Sequence, residues 1–177
     1  MNDKKNGKGK EYSYVGKLIF EGEYLNDMKN GKVKEYDNGE LIFEGEYLYD
    51  HKIKGKEYIK GKLEYEGEYL YMTKWNGKGY DENGNIIYEL INGNGKVKEY
   101  DYNGDLEFEG EYLNGKRWKG KGKDYSEYGE PLFDGEYLNG KRWNGIGKEY
   151  ESGEVIFEGE YSNGEKIFSN WKINQKK

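Results

Sequence analysis

A chain of 177 residues with net charge −6 and no cysteine has room for one ordinary domain or one repeat array, leaves no surplus for a separate catalytic module, and excludes disulfides and thiolate metal sites. Its 11 Leu, 11 Ile, 4 Val and 6 Phe are few enough, at high net charge, to suggest disorder. The 20 Tyr and 4 Trp argue otherwise, because each ring can bury on the order of 150–250 Å2: aromatic rings must make the core. With no alanine and one proline, but abundant Tyr, Ile, Phe and Gly with Asn, the composition suits strands and tight turns rather than helices.

The N-terminal "MNDKKNGKGK" has no apolar stretch like that of a signal peptide. Its Lys4, Lys5, Lys8 and Lys10 would discourage pairing at a sheet edge. From there the chain repeats itself. "GKGKEY" and variants fall at 7–12, 31–36, 95–100, 120–125 and 145–150, with trimmed forms at 54–58 and 77–80. "FEGEY" or a near copy stands at 20, 43, 65, 108, 133 and 157. A turn glycine recurs at Gly16, Gly39, Gly61, Gly84, Gly104, Gly129 and Gly153, with spacings of 23, 22, 23, 20, 25 and 24. The spacing of 20 spans the degenerate copy "IIYELINGNGKVKEY", read as a shortened hairpin rather than a break. Each unit reads as two short strands, because Gly, Asn and Asp interrupt the chain at both ends of each apolar run. The array ends in "KIFSNWKI", an atypical segment (about 162–177) suited to capping. The expectation is a single array over 1–177, about seven hairpins in one elongated, single-layer antiparallel sheet, all-β.

Alternation along a strand puts Phe20, Gly22 and Tyr24 on one face and Glu21 and Glu23 on the other. In the partner strand the lysines take the acid face. A register with Tyr112 opposite Gly120 and Gly110 opposite Gly122 would set Glu111 against Lys121 and Glu109 against Lys123. Glycines then leave room for rings while opposite charges complete the other face. Exposed pairs contribute only about 0.2–1 kcal/mol each, so ring burial must carry stability.

These residues resemble the MORN repeat family (membrane occupation and recognition nexus), whose unit of about 23 residues runs aromatic, any, Gly, any, aromatic, then Asn-Gly-Lys-Arg, then Gly, any, Gly. "FEGEYLNGKRWKGKG" at 108–122 and "FDGEYLNGKRWNGIG" at 133–147 carry the likeness most closely, and it extends over residues 7–165. The resemblance implies an elongated sheet of successive hairpins, a rod of roughly 70 Å before twist. Departures fall at Val33 and Val97, which replace the second glycine, and at 88–93, which loses the aromatic-glycine core; those units are expected to pack less tightly or to bend the rod.

Catalytic readings fare poorly. No Gly-Lys is followed by Ser or Thr, and no "GxGxxG" occurs, so phosphate-loop chemistry has no anchor. The lone His51 in "YDHKIK" has no second histidine or cysteine for a triad or transition metal and reads as a solvated loop residue. The paired acids of "EGE", once "DGE", recur six times, whereas a catalytic site is built once. No enzyme activity, cofactor, metal or small-molecule substrate is expected. Lysines balanced by acids also weaken attraction to nucleic acid, and no nucleic-acid partner is expected.

Trp75, Trp118 and Trp143 each stand two residues before the glycine that opens the second strand, with Ile53 equivalent, and Arg117 and Arg142, the only arginines, directly precede two of the tryptophans. Either each ring covers the neighbouring hairpin, or these five residues form a partner-binding ridge, Trp and Arg being frequent interface anchors. The sequence points to a non-catalytic scaffold for a protein partner or for self-association. The alternatives are a weak acidic-lipid binder, which the family name suggests but a net acidic sheet favours only if its lysines segregate, and an antitoxin or immunity-type binder. No apolar run approaches the roughly 20 residues that span a bilayer, so the chain is expected to be soluble and cytoplasmic, with a peripheral position at a membrane or the cytoskeleton left open.

Overall fold

The computed structural model describes residues 4–168 apart from 102, 127 and 128. It is all-β and consists of fifteen strands: β1 (Gly7–Tyr12), β2 (Leu18–Leu25), β3 (Met28–Asp37), β4 (Glu40–Leu48), β5 (His51–Ile59), β6 (Lys62–Leu70), β7 (Thr73–Tyr80), β8 (Ile86–Leu90), β9 (Gly95–Tyr100), β10 (Leu106–Leu113), β11 (Lys116–Tyr125), β12 (Pro131–Leu138), β13 (Lys141–Glu151), β14 (Glu154–Ser162) and β15 (Glu165–Phe168). Within each of two sheets every strand pairs antiparallel with its sequence neighbours, and neither sheet closes into a barrel. Within the segment expected to cap the array lies β15, whose Phe168 meets Phe157 edge-on with centroids 5.3 Å apart; residues 169–177 of that segment lie outside the described residues. Among the described residues no helix is long and apolar enough to cross a membrane.

The hydrogen-bonded ladder is not continuous. β1–β8 form one sheet and β9–β15 another, and between them only the isolated bridge of Ile91 with Asn94 survives. The interruption falls on the degenerate copy, where Leu90 stands in place of the glycine at the centre of the aromatic strand and the residues after it are missing, so a full hairpin cannot be built. Val33 and Val97, by contrast, are only 3% exposed: a valine there fills the space between rings instead of loosening the unit.

The core is a row of rings on one face. Phe20, Phe43, Tyr65, Tyr88, Phe108, Phe133 and Phe157 are buried, as are most of the tyrosines four residues further on. Most neighbouring rings meet edge to face, as in Phe133 with Tyr137 at 5.2 Å and with Tyr161 at 5.5 Å, a geometry that the ring quadrupole favours. They rest on glycine. A Cβ on Gly110 would lie 2.8 Å from Phe108 Cζ, and one on Gly122 would lie 2.6 Å from Phe108 Cδ2. The glycine at each outer turn has a different reason: Gly39 faces open space but sits at φ 90°, where side chains are strained.

The register of β10 with β11 is Phe108 opposite Gly122, Glu109 opposite Lys121, Gly110 opposite Gly120 and Glu111 opposite Lys119. This corrects the expected pairing, which is displaced by two residues. The expected pattern is found one step on, between β11 and β12: Gly120 faces Tyr137, Lys121 faces Glu136, Gly122 faces Gly135 and Lys123 faces Asp134. Each lysine strand lies between two acid strands, so both registers use the same charges. The two-residue turn at Asn114–Gly115, which sets Leu113 opposite Lys116, draws the strands into this tighter register, and a β-bulge then moves it by one residue, since Tyr112 pairs with Arg117 and leaves Trp118 as the extra residue. Ile53, Trp75 and Trp143 are the extra residues of equivalent bulges.

Candidate functional site

Three features of the surface could meet a partner: the inner turns, the ring face and the outer face. The inner turns follow "NGK" and its variants. Both central residues have positive φ in Asn26–Asp27, Tyr49–Asp50, Tyr71–Met72, Asn92–Gly93, Asn114–Gly115, Asn139–Gly140 and Asn163–Gly164, the conformation that lets a two-residue turn match the twist of its strands. Each turn is tied to the unit before it. The amides of Gly93, Gly140 and Gly164 donate to the carbonyl oxygens of Trp75, Trp118 and Trp143 at 2.7, 2.9 and 2.9 Å, and the tryptophan rings lie against those same glycines, Trp75 and Trp143 closely. Where the turn holds Asp, the amide tie is kept, Asp27 N–H and Asp50 N–H donating to Lys5 O and Lys29 O at 3.0 Å, and the carboxylate adds a second: Lys5 N–H and Lys29 N–H donate to Asp27 Oδ1 and Asp50 Oδ1, both at 2.7 Å.

This geometry separates the five residues of the expected ridge. Trp75, Trp118 and Trp143 cover the following turns, and Trp118 is 36% exposed. Arg117 and Arg142 diverge onto the ring face, where their guanidinium carbons lie 4.8 Å from the Phe108 centroid and 5.1 Å from that of Phe133. His51 opens β5 beside its turn and is exposed.

On the ring face the arginines belong to a column of cations that includes Lys29, Lys52 and Lys74, over Phe20, Phe43 and Tyr65 at 4.2, 4.1 and 4.8 Å. Acids from the "KEY" and "KDY" ends of the lysine strands alternate with them. Lys29 binds Glu35 at 2.9 Å; Lys52 bridges Glu35 and Glu57 at 3.7 and 3.6 Å; Lys74 bridges Glu57 and Glu64 at 3.1 and 2.7 Å. In the second sheet Arg117 holds Glu99, Glu107 and Asp124 at 3.1, 2.9 and 3.2 Å, Arg142 takes Asp124 at 2.7 Å, and Lys166 pairs with Glu149. Tyrosine hydroxyls complete the acids' shells, Tyr47, Tyr112 and Tyr161 donating to Glu35, Glu99 and Glu149 at 3.0, 2.6 and 2.7 Å.

Burial sets the electrostatics. For Lys74, burial disfavours the ammonium, yet Glu57 and Glu64 together hold its pKa well above the ordinary lysine range. The two acids differ. Burial works against the Glu57 carboxylate, but Lys74 and Lys52 outweigh it and keep the pKa low. Glu64, 8% exposed, is shifted upward by burial, which its share of Lys74 does not offset and which Glu57 and Glu99 reinforce. Arg117 is raised despite its burial, chiefly by Glu99 and Glu107.

The outer face is a checkerboard of exposed pairs, among them Lys34 with Glu44 at 3.5 Å, Lys56 with Glu66 at 3.5 Å, Lys98 with Glu109 at 2.9 Å and Lys148 with Glu158 at 3.0 Å. These lysines do not segregate from acids. One tyrosine shares this charge pattern: burial and its 2.7 Å hydrogen bond to Glu44 push the Tyr58 hydroxyl up to about 12.

Sequence reasoning missed the ring-face column. Its signal was a Lys or Arg two residues beyond every inner turn but Asn92–Gly93 and an acid before each "KEY" tyrosine. It also missed Glu64 and Glu107, which stand directly before an aromatic where other units have Ile19, Ile42, Ile87, Leu132 and Ile156. Fold and surface together define an open array of hairpins with one ringed, charge-laced face. No protein-family model matches the chain, and no curated protein matches it either.

Proposed function

We propose that the chain is a non-catalytic repeat scaffold that holds a protein partner, or another copy of itself, in fixed geometry, as the MORN repeats it resembles would lead one to expect. The observation that carries this reading is the pair of inner turns in the first sheet. Where the second sheet uses Asn-Gly, these turns place Tyr49–Asp50 and Tyr71–Met72 in the left-handed region. Bulky residues there cost about 1–2 kcal/mol each. Asp50 is tied to Lys29 at 2.7 Å, but little repays the cost at the other turn: Tyr71 is 87% exposed, and among the described residues the side-chain tie to Met72 is Lys52 N–H on Met72 Sδ at 3.4 Å, a weak acceptor. Leu48, Tyr49, Leu70 and Met72 are exposed beside it, giving the edge an apolar row of the kind that marks protein contact sites.

Replacing Tyr71 by Asn and Met72 by Gly tests the assignment. The double variant should be more stable by about 1–2 kcal/mol, measured by denaturant unfolding, and should lose self-association in sedimentation or lose capture of its partner. Undiminished association would remove the turn edge from the interface. Flotation with anionic vesicles separates the lipid reading, which the paired outer-face lysines give little electrostatic support.

A further inference from the structure

On the ring face, where the two ladders meet, lies a cleft of about 380 Å3 whose wall carries four acids, Glu57, Glu64, Glu99 and Glu107, against three cations, Lys52, Lys74 and Arg117, with Ile42 and Tyr112 among its apolar parts. The outer turns of the two sheets are clasped beside it by Lys60 Nζ, which donates to Asn103 O at 2.9 Å. We propose that this cleft receives a lysine or arginine side chain of a protein partner, its charged end among Glu64, Glu99 and Glu107 and its alkyl stem along Ile42 and Tyr112. The proposal rests on the scaffold reading and names the chemistry of the partner.

The argument begins from the ladder's alternation. On the ring face the repeating positions supply one cation and one acid in turn: Lys29, Glu35, Lys52, Glu57, Lys74, Glu99, Arg117, Asp124, Arg142, Glu149, Lys166. Glu64 and Glu107 are acids beyond this alternation. Both occupy positions that are aliphatic in every other copy, and both flank the interrupted unit, which supplies no cation of its own. Lys74 and Arg117 are therefore shared among Glu57, Glu64, Glu99 and Glu107, with Asp124 also on Arg117 and Lys52 already held by Glu35 and Glu57.

Glu64 shows the deficit directly. It is nearly buried; its Oε2 takes Lys74 at 2.7 Å, while among the described residues Oε1 receives only a long 3.4 Å bond from Tyr88 Oη. A buried carboxylate short of charge-assisted partners is costly, and an entering ammonium or guanidinium supplies the missing donors. The cleft has the volume of a small ligand site. A basic side chain also matches the apolar wall, since its stem packs while its head stays charged.

The test titrates the full chain, observed by amide NMR, with the blocked tripeptides Gly-Lys-Gly and Gly-Arg-Gly and with the uncharged norleucine counterpart. Saturable shifts at Glu64, Glu99 and Glu107 are expected, weaker by about tenfold for norleucine. Glu107→Leu, which restores the residue class of Leu132 and Ile156, should weaken binding about fivefold or more while the rest of the spectrum holds. Glu64→Gln should act the same way. Equal response to norleucine, shifts spread over the outer-face pairs, or indifference to both substitutions would overturn the site. Tighter binding of 1,4-diaminobutane than of either peptide would overturn the side-chain assignment in favour of a free amine. Partner capture through the Tyr71 edge that persists while both peptides fail would sink the cleft and leave the scaffold reading standing.

Discussion

The two faces of the sheet carry similar charges and treat them differently. On the outer face Lys98 and Glu109 sit 2.9 Å apart with side chains about half exposed, and water does most of the work of solvating them. On the ring face Lys74 and Glu64 sit 2.7 Å apart with side-chain exposures of 17% and 9%, over a floor of aromatic rings. The same chemical pair is decoration in one place and a structural commitment in the other. What separates them is the bulge at Ile53, Trp75, Trp118 and Trp143, which turns the preceding cation inward.

The largest break of this contrast should come from the ring floor itself. Phe108→Ala should cost about 3–5 kcal/mol in denaturant unfolding, and Tyr112→Ala should cost more than Glu111→Ala; equal losses would refute the division between core and charge. Lys74→Gln comes next, at about 3 kcal/mol, since it strands Glu57 and Glu64 without their shared cation. The acid limb of stability gives a finer reading. The folded pKa of Glu57 is depressed below its usual 4.5, so its contribution is present above that value and is lost as pH falls through the folded pKa; Glu57→Gln should flatten this part of the profile. Glu64 has the opposite sign. Its raised pKa favours the fold at low pH and loses that advantage as pH rises through the folded pKa, so Glu64→Gln should be no less stable than the native chain at pH 7. The smallest effect belongs to the outer face, where Glu109→Gln should change stability by about 0.5 kcal/mol or less.

Much of this was legible in the sequence. The period, the hairpins, the turn glycines and the rings over glycine all follow from strict alternation between Phe20 and Tyr24 and from the recurrence of Gly16 through Gly153. Alternation failed at one residue per unit. Counting back from Gly120 by twos puts Trp118 on the ring face and Arg117 outside; the bulge at Trp118 exchanges them, because one extra residue reverses which side every later side chain takes. That single exchange hid the cation column and made Arg117 and Trp118 look like one ridge. Bulges carry no compositional mark as clear as Asn-Gly. The break between β8 and β9 was hidden for a related reason: the markers on either side, Gly84 and Gly104, keep nearly the normal interval although the strand between them lacks the residues to pair. Glu64 and Glu107 were visible as departures from Ile and Leu, but their meaning depended on knowing that their neighbours face inward.

The backbone ties from each inner turn to the unit before it, such as Gly140 N–H to Trp118 O, have a mechanical consequence. Strands run across the array and every neighbour in space is a neighbour in sequence, so a load applied at the two ends would not shear many bonds at once. It would peel the chain rung by rung, at low force and reversibly, with each released hairpin adding a nearly constant increment of length. The interrupted unit between Leu90 and Gly95, holding only one bridge, is where such an extension would find its first weak seam.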